Sequence, residues 1–163
     1  MSEATSESLI TDAMRAHIDV ESAPWICEVD KTGVRMFARS VGQTDRVFYD
    51  EEAAKAAGYR SLPVPPGYLG TPIFNPNTSD TAPGGGGGPQ PSRKLTRILN
   101  GGTEIEHLED ICAGDVLTAR SRIANYEERS GSIGDMLIVT SKVNYTNQHG
   151  NLVAVMTGTL IRY

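Results

Sequence analysis

Residues 103–163 limit what this chain can fold into more than any other stretch. Three long runs, 116–126, 136–147 and 152–163, alternate apolar and polar residues with the period of a strand. In the last run Val153, Val155, Thr157, Thr159 and Ile161 share one face; Leu152, Ala154, Met156 and Leu160 share the other. A shorter alternation covers residues 103–108. Gln148-His149-Gly150-Asn151 suits a hairpin with positive φ at Gly150, and residues 127–135 make a looser turn. The pattern predicts an antiparallel meander of strands about 35 Å long. Such strands, apolar on at least one face, must wrap around something or pack against another sheet.

The rest of the chain offers little to fill a concave sheet. Residues 8–18 set Ile10, Met14 and Ile18 at helical spacing, which predicts an amphipathic helix. Residues 25–29 read as a short strand. Asp30 is placed to N-cap a second helix with Val34, Phe37, Ala38 and Val41 on one face and Gly42 just past its end. Asp50 opens a third, where Glu51 and Glu52 favour the positive end of the dipole and Gly58 ends it. From 62 to 91 prolines and turn formers refuse regular structure. The glycines at 84–88 are not a phosphate-binding loop, because no Gly-Lys-Ser/Thr follows them. They read as a mobile surface loop. Helices this few and short already call for a partner subunit.

Size and charge narrow the function. The 163 residues suit one domain spanning 1–163. Fifteen Lys and Arg against twenty Asp and Glu leave a net charge of −5, a poor basis for gripping nucleic acid or an anionic membrane. No apolar run approaches the roughly 18 residues of a membrane span. The N-terminus is acidic and polar, unlike a signal peptide, so a cytoplasmic protein is expected. Cys27 and Cys112 lie far apart outside any CxxC pairing and read as buried thiols. Three histidines without ligand spacing give no metal site, and no cofactor motif is present.

One stretch carries more specific information. Phe37-Ala38-Arg39-Ser40-Val41-Gly42-Gln43-Thr44-Asp45-Arg46-Val47-Phe48-Tyr49-Asp50-Glu51-Glu52-Ala53-Ala54, continuing through Ala57-Gly58-Tyr59 to Pro65-Pro66, resembles the MaoC-like (R)-specific enoyl-thioester hydratase/dehydratase superfamily. Glu104-Ile105-Glu106, Ala113-Gly114-Asp115-Val116-Leu117 and Asn144-Tyr145-Thr146-Asn147-Gln148 follow in the same order. The resemblance implies an α+β hot-dog fold, a curved antiparallel sheet with a short or degenerate central helix. It also implies acyl-CoA or acyl-carrier-protein thioester substrates. Catalytic members carry Gly-Asp-x-Asn-Pro-Leu-His-x-Asp, whose Asp and His activate the water that adds across the enoyl bond. Laid on this chain, the Gly is Gly42, but the Asp falls on Gln43 and the His on Phe48; Asp45 and Asp50 stand at the Asn and final Asp. Neither Gln43 nor Phe48 is a useful base. Downstream, the family often shows Tyr-His-Arg-Pro where this chain has His107-Leu108-Glu109-Asp110.

That loss is similar to the N-terminal, non-catalytic, FAS1-like dehydratase type of hot-dog half, whose partner carries the Asp/His pair. The Pro65-Pro66-Gly67-Tyr68-Leu69-Gly70-Thr71-Pro72 segment fits, since proline costs a helix interior about 3 kcal/mol and glycine about 1. The resemblance implies no catalytic residue in this chain and an acyl pocket drawn from Asp45, Phe48, Pro65, Pro66 and Tyr68. Equally, Gln43, Asp45 and Phe48 can be an ordinary connector, Pro65 and Pro66 a segment end, and Tyr68 core. Arg93, Lys94 and Arg97 form the only local basic cluster, facing a substrate's phosphates or merely solvent. His107 is a structural or interface residue more readily than a base. The expected function is the acyl-pocket subunit of a heteromeric hydratase or dehydratase, active with a second hot-dog subunit. The alternatives are a non-enzymatic acyl-thioester-binding homodimer and a hot-dog thioesterase.

Overall fold

The computed structural model describes residues 7–70, 88–132 and 134–163. Its framework is a five-stranded antiparallel sheet of order β1-β3-β4-β5-β2, with β1 at Trp25–Glu28, β2 at Ile98–His107, β3 at Val116–Gly131, β4 at Gly134–Thr146 and β5 at Leu152–Arg162. Strands β3, β4 and β5 form the expected meander, and β2 crosses over to pair with β5. This is the curved hot-dog sheet that the sequence implied. One face gathers Leu117, Ala119, Val143, Tyr145 and Ala154, which register brings side by side: Ala119 opposes Tyr145, and Tyr145 opposes Ala154.

Short helices cover part of that face. Helix α2, Lys31–Ser40, starts at Asp30, whose carboxylate accepts from the Gly33 N–H at 2.8 Å. It buries Val34 in the core shared with the sheet and also buries Ala38, and Gly42 takes φ 73° just past its end, a value that suits glycine. Helix α3, Glu51–Ala56, is capped by Asp50 and buries Ala54. Beyond it the chain runs irregularly through buried Leu62 and Pro65 to a single 3-10 turn at Tyr68–Gly70. The described part of the segment from Pro65 onward therefore forms no helix beyond this single turn. The surface-loop reading of the glycine run lies, apart from Gly88, outside the described residues.

Three boundaries differ from expectation. Helix α1 covers only Asp12–Ala16, because Thr11 caps it by accepting from the Met14 N–H at 3.3 Å. The residues before it bend at Leu9 and Ile10 and are tied to β3, with Ser8 donating to Glu128 and the Ile10 N–H bonding the same carboxylate at 3.0 Å. Strands β3 and β4 continue through the expected loose turn until Gly131 opposes Gly134. This stretch is polar on both faces, so alternation is invisible there; Ser130 donating to Asp135 and the Arg129–Glu127 ion pair occupy it. Strand β2 starts earlier than expected. Its Asn100-Gly101-Gly102 forms a bulge, with the Asn100 side chain accepting from the Gly102 N–H at 3.0 Å. At Gly101 a Cβ would come within 3.0 Å of Thr159, which explains glycine there.

One buried carboxylate ties the pieces together. Asp115, 2% exposed, accepts from both Arg60 terminal nitrogens at 3.0 and 2.9 Å, from the Cys112 N–H at 2.9 Å and from Gln148 at 3.2 Å. Burial pushes its pKa up, but Arg60, the Cys112 N–H and Gln148 together outweigh this and hold it below its ordinary value. A depressed folded-state pKa gives stability that is present above the unfolded value near about 4 and lost as pH falls through the folded value. Asp115→Ala leaves the buried Cys112 N–H without an acceptor and should cost about 3 kcal/mol; Asp115→Asn should remove this carboxylate's share of the acid destabilisation below about pH 4. Urea midpoints measured between acidic and neutral pH check both.

Candidate functional site

The stretch aligned with the hydratase motif is built from local caps. Asp45 accepts from the Val47 N–H at 3.1 Å and opens the 3-10 turn Arg46–Phe48. Asp50 caps α3 and receives Arg46 at 2.6 Å; the Arg46 hydrogen bond, then the Glu52 N–H, lower its pKa. The Gln43 carbonyl accepts the Tyr49 hydroxyl at 2.5 Å, and Phe48 is half-buried. Two carboxylates therefore flank the segment, both engaged in local structure. The ion pairs formed among the described residues involve no histidine.

The other residues singled out in the sequence fall in different surroundings. Pro65 is fully buried and Pro66 exposed; Gly67, at φ 87°, turns the chain between them and Tyr68. The Tyr68 ring meets Phe37 edge-on, centroids 5.6 Å apart, beside the main core. Burial, then the nearby Asp30 charge, raises its phenol pKa. Arg93 pairs with Asp135, and Arg97 lies 5.9 Å over the Tyr163 ring, while Lys94 is exposed. His107 sits exposed at the end of β2 opposite Ala154. Among the described residues no cluster of His, Cys, Asp or Glu could hold a metal ion, and no helix is long and apolar enough to cross a membrane.

A concavity lies elsewhere, on the far half of the same sheet face. Main-core cover ends near Val143, and a separate cluster of Leu9, Met14 and Leu137 closes the opposite end. Between them is a cavity of about 450 Å³ whose wall includes Tyr126, Val139, Val143, Met156, Leu160 and Arg162. That volume lies within the roughly 300–1,000 Å³ of small-molecule pockets. The wall comes from side chains that the strand register places together: Tyr126 opposes Val139, Val139 opposes Leu160, and Val143 opposes Met156. None of Asp45, Phe48, Pro65, Pro66 or Tyr68 lines it. Sequence reasoning missed it, although a signal was present: Arg162 continues the Ala154, Met156, Leu160 face of β5 with a charge.

Among the described residues, then, a buried carboxylate network stands at one end of the sheet's inner face and a cavity at the other. The FAS1-like, dehydratase domain region family matches residues 16–156. The chain belongs to this family. A UPF0336 protein of Parafrankia sp. is 31% identical over 137 residues, covering 82% of this chain and 83% of the relative. A probable enoyl-CoA hydratase alpha subunit of Thermomonospora curvata is 26% identical, covering 80% of this chain but only 43% of that longer protein. Among solved structures, the ChsH1-ChsH2 complex of Mycobacterium tuberculosis aligns with a TM-score of 0.67 at 14% identity, covering 88% of each chain. The truncated HadBC (3R-hydroxyacyl-ACP dehydratase) complex of the same organism aligns with a TM-score of 0.63 at 23% identity, covering 89% of this chain and 98% of that one. At these identities the structural likenesses establish the fold.

The two cysteines of this FAS1-like dehydratase-family chain are free and buried. Burial pushes the Cys27 thiol to about 11, against a smaller lowering by a hydrogen bond involving Trp25. Native protein at pH 8 should therefore react slowly with a disulfide-exchange reagent, and denatured protein should release both thiols at once. Stoichiometric release from the native protein within seconds would contradict the burial.

Proposed function

We propose that this chain is the non-catalytic, acyl-binding subunit of a heteromeric (R)-specific enoyl-thioester hydratase or 3-hydroxyacyl-thioester dehydratase. The observation that carries the reading is the replacement of the motif's Asp and His by Gln43 and Phe48, in a segment whose carboxylates cap turns, beside an intact hot-dog sheet with a large inner cavity. A chain without a base still contributes to hydration by holding the acyl body and excluding water from it. The partner hot dog then supplies the base that activates the nucleophilic water and the donors that polarise the thioester carbonyl. Subunit complexes among the structural neighbours, ChsH1-ChsH2 and HadBC, support a second hot-dog subunit for this chain also. The cytoplasm is the compartment that fits this chemistry.

Strand β2 is the proposed docking edge. It is ten residues long, pairs among the described residues with β5 alone, and exposes Ile98 (63%) and Leu99 (49%). A long free edge with exposed apolar residues is a template for pairing with another chain. Asp45, Phe48, Pro65, Pro66 and Tyr68 are proposed to form the substrate's approach on the α2 side of the chain, with the cavity taking the distal part of the acyl group. The same edge would also serve a homodimer, and mass measurement in solution distinguishes that assembly.

The isolated chain should hydrate crotonyl-CoA negligibly, whereas co-expression with a hot-dog subunit carrying the intact Asp/His motif should give turnover. Ile98→Glu with Leu99→Glu should weaken that association at least tenfold while moving the isolated chain's stability by less than about 0.5 kcal/mol, as expected for exposed positions. Robust turnover by the chain alone, or a stable homodimer indifferent to the partner, would refute the assignment.

A further inference from the structure

The cavity wall is apolar over much of its area but contains an arginine with little to hold it. Arg162 projects from the inner face of β5, directly opposite Leu137 and two residues beyond Leu160. Its Nε is buried and has no hydrogen-bond partner. Its Nη2 donates to the neutral Gln90 side-chain oxygen at 3.3 Å, a long bond. Among the described residues no carboxylate lies within ion-pair distance of it. The other arginine on the wall is different: Arg122 is paired with Asp19 at 3.0 Å, and the wall's Glu21 reaches Arg120 at 3.9 Å.

Tyr126 adds a second donor to the same cavity wall, from β3, with β4 between it and Arg162 on β5. Burial raises its phenol pKa, and the Arg162 charge opposes that rise. Its hydroxyl forms no hydrogen bond among the described residues. Nε and Nη2 donate from one edge of the guanidinium, the fork that binds a carboxylate through both oxygens. Here one tine is empty and the other rests on an exchangeable amide.

We infer that Arg162 and Tyr126 form the head-group end of this cavity, and that it takes an apolar chain ending in a carboxylate. The carboxylate displaces the Gln90 amide and accepts from Arg162 Nε and Nη2 and from the Tyr126 hydroxyl. The alkyl body lies along Val139, Val143, Met156 and Leu160. The inference deepens the proposed acyl-binding role and rests on it only for the apolar part of the pocket. A free fatty acid and the far end of an ω-carboxyacyl thioester present the same chemistry.

Calorimetric titration of the full chain with decanoate, methyl decanoate and decanol tests it. Decanoate should bind at least tenfold more tightly than either neutral ligand. Arg162→Gln should abolish that preference while leaving neutral binding within about twofold, Arg162→Lys should retain part of it, and Tyr126→Phe should reduce it severalfold. Suberoyl-CoA against octanoyl-CoA identifies the source: a preference for suberoyl-CoA points to the thioester, and preference for the acid among free ligands alone points to a fatty acid. Equal affinity for decanoate and decanol in the wild-type chain overturns the inference, needs no variant to fold, and leaves the acyl-pocket reading standing. Persistence of the acid preference in folded Arg162→Gln overturns it as well. Loss of turnover in the reconstituted two-subunit assay would instead strike the proposed function.

Discussion

The carboxylate of Asp115 sits where four parts of the chain meet. The Ala113-Gly114-Asp115 corner enters β3, and its backbone exchanges hydrogen bonds with Val29 just after β1 at 2.7 and 2.9 Å. Its side chain holds Arg60 from the segment after α3 and Gln148 from the β4–β5 hairpin. Gln148 in turn accepts from the Val116 N–H at 3.1 Å. A buried charge this well satisfied is costly to disturb, because losing any donor exposes the desolvation of the rest. Its position fixes the edge strand, the irregular segment and the hairpin relative to one another. The inner sheet face is organised outward from that end.

A consequence appears at the opposite end of the face. Core packing is dense around Leu117, Ala119, Tyr145 and Ala154, where α2, α3 and Leu62 supply cover. Toward Leu137 the described cover narrows to α1, five residues long, and the chain leading into it. A long curved sheet with helices this short leaves part of its inner face uncovered, and among the described residues that part gathers at the cavity of about 450 Å³. That concentration is what makes ligand binding physically plausible: scattered voids lose dispersion contacts without giving a ligand room.

The strands were legible because half-buried alternation survives in sequence wherever one face meets the core, as from Leu117 to Ile123 and from Val143 to Thr146. It failed where that condition failed. At the β3–β4 tip both faces are wet, so Glu127 and Arg129 look like loop residues while they continue a ladder. At Asn100-Gly101-Gly102, the composition of a turn served a bulge. Caps were legible for a different reason: Asp30 and Asp50 each satisfy an exposed backbone N–H within three residues, an interaction wholly local in sequence. The cavity was not legible, since it joins Tyr126, Val139 and Arg162 through register across three strands. Only the charge at Arg162, out of keeping with its apolar row, marked the place.

In the segment aligned with the hydratase motif, the local backbone is held by side chains other than those at 43 and 48. Asp45 and Asp50 stand at polar positions of the hydratase pattern, and each satisfies a backbone N–H at the start of a helical turn. Gln43 contributes its main-chain carbonyl to Tyr49, a bond that any residue at that position could make. Phe48, where a catalytic histidine would need a partner and a path to water, is instead half-buried beside Asp45 and Asp50, whose oxygens are already committed to caps. The backbone requirements of the loop therefore do not depend on the side chains at 43 and 48. Under the proposed two-subunit reading, the fold retains this segment for its shape while positions 43 and 48 carry no catalytic requirement.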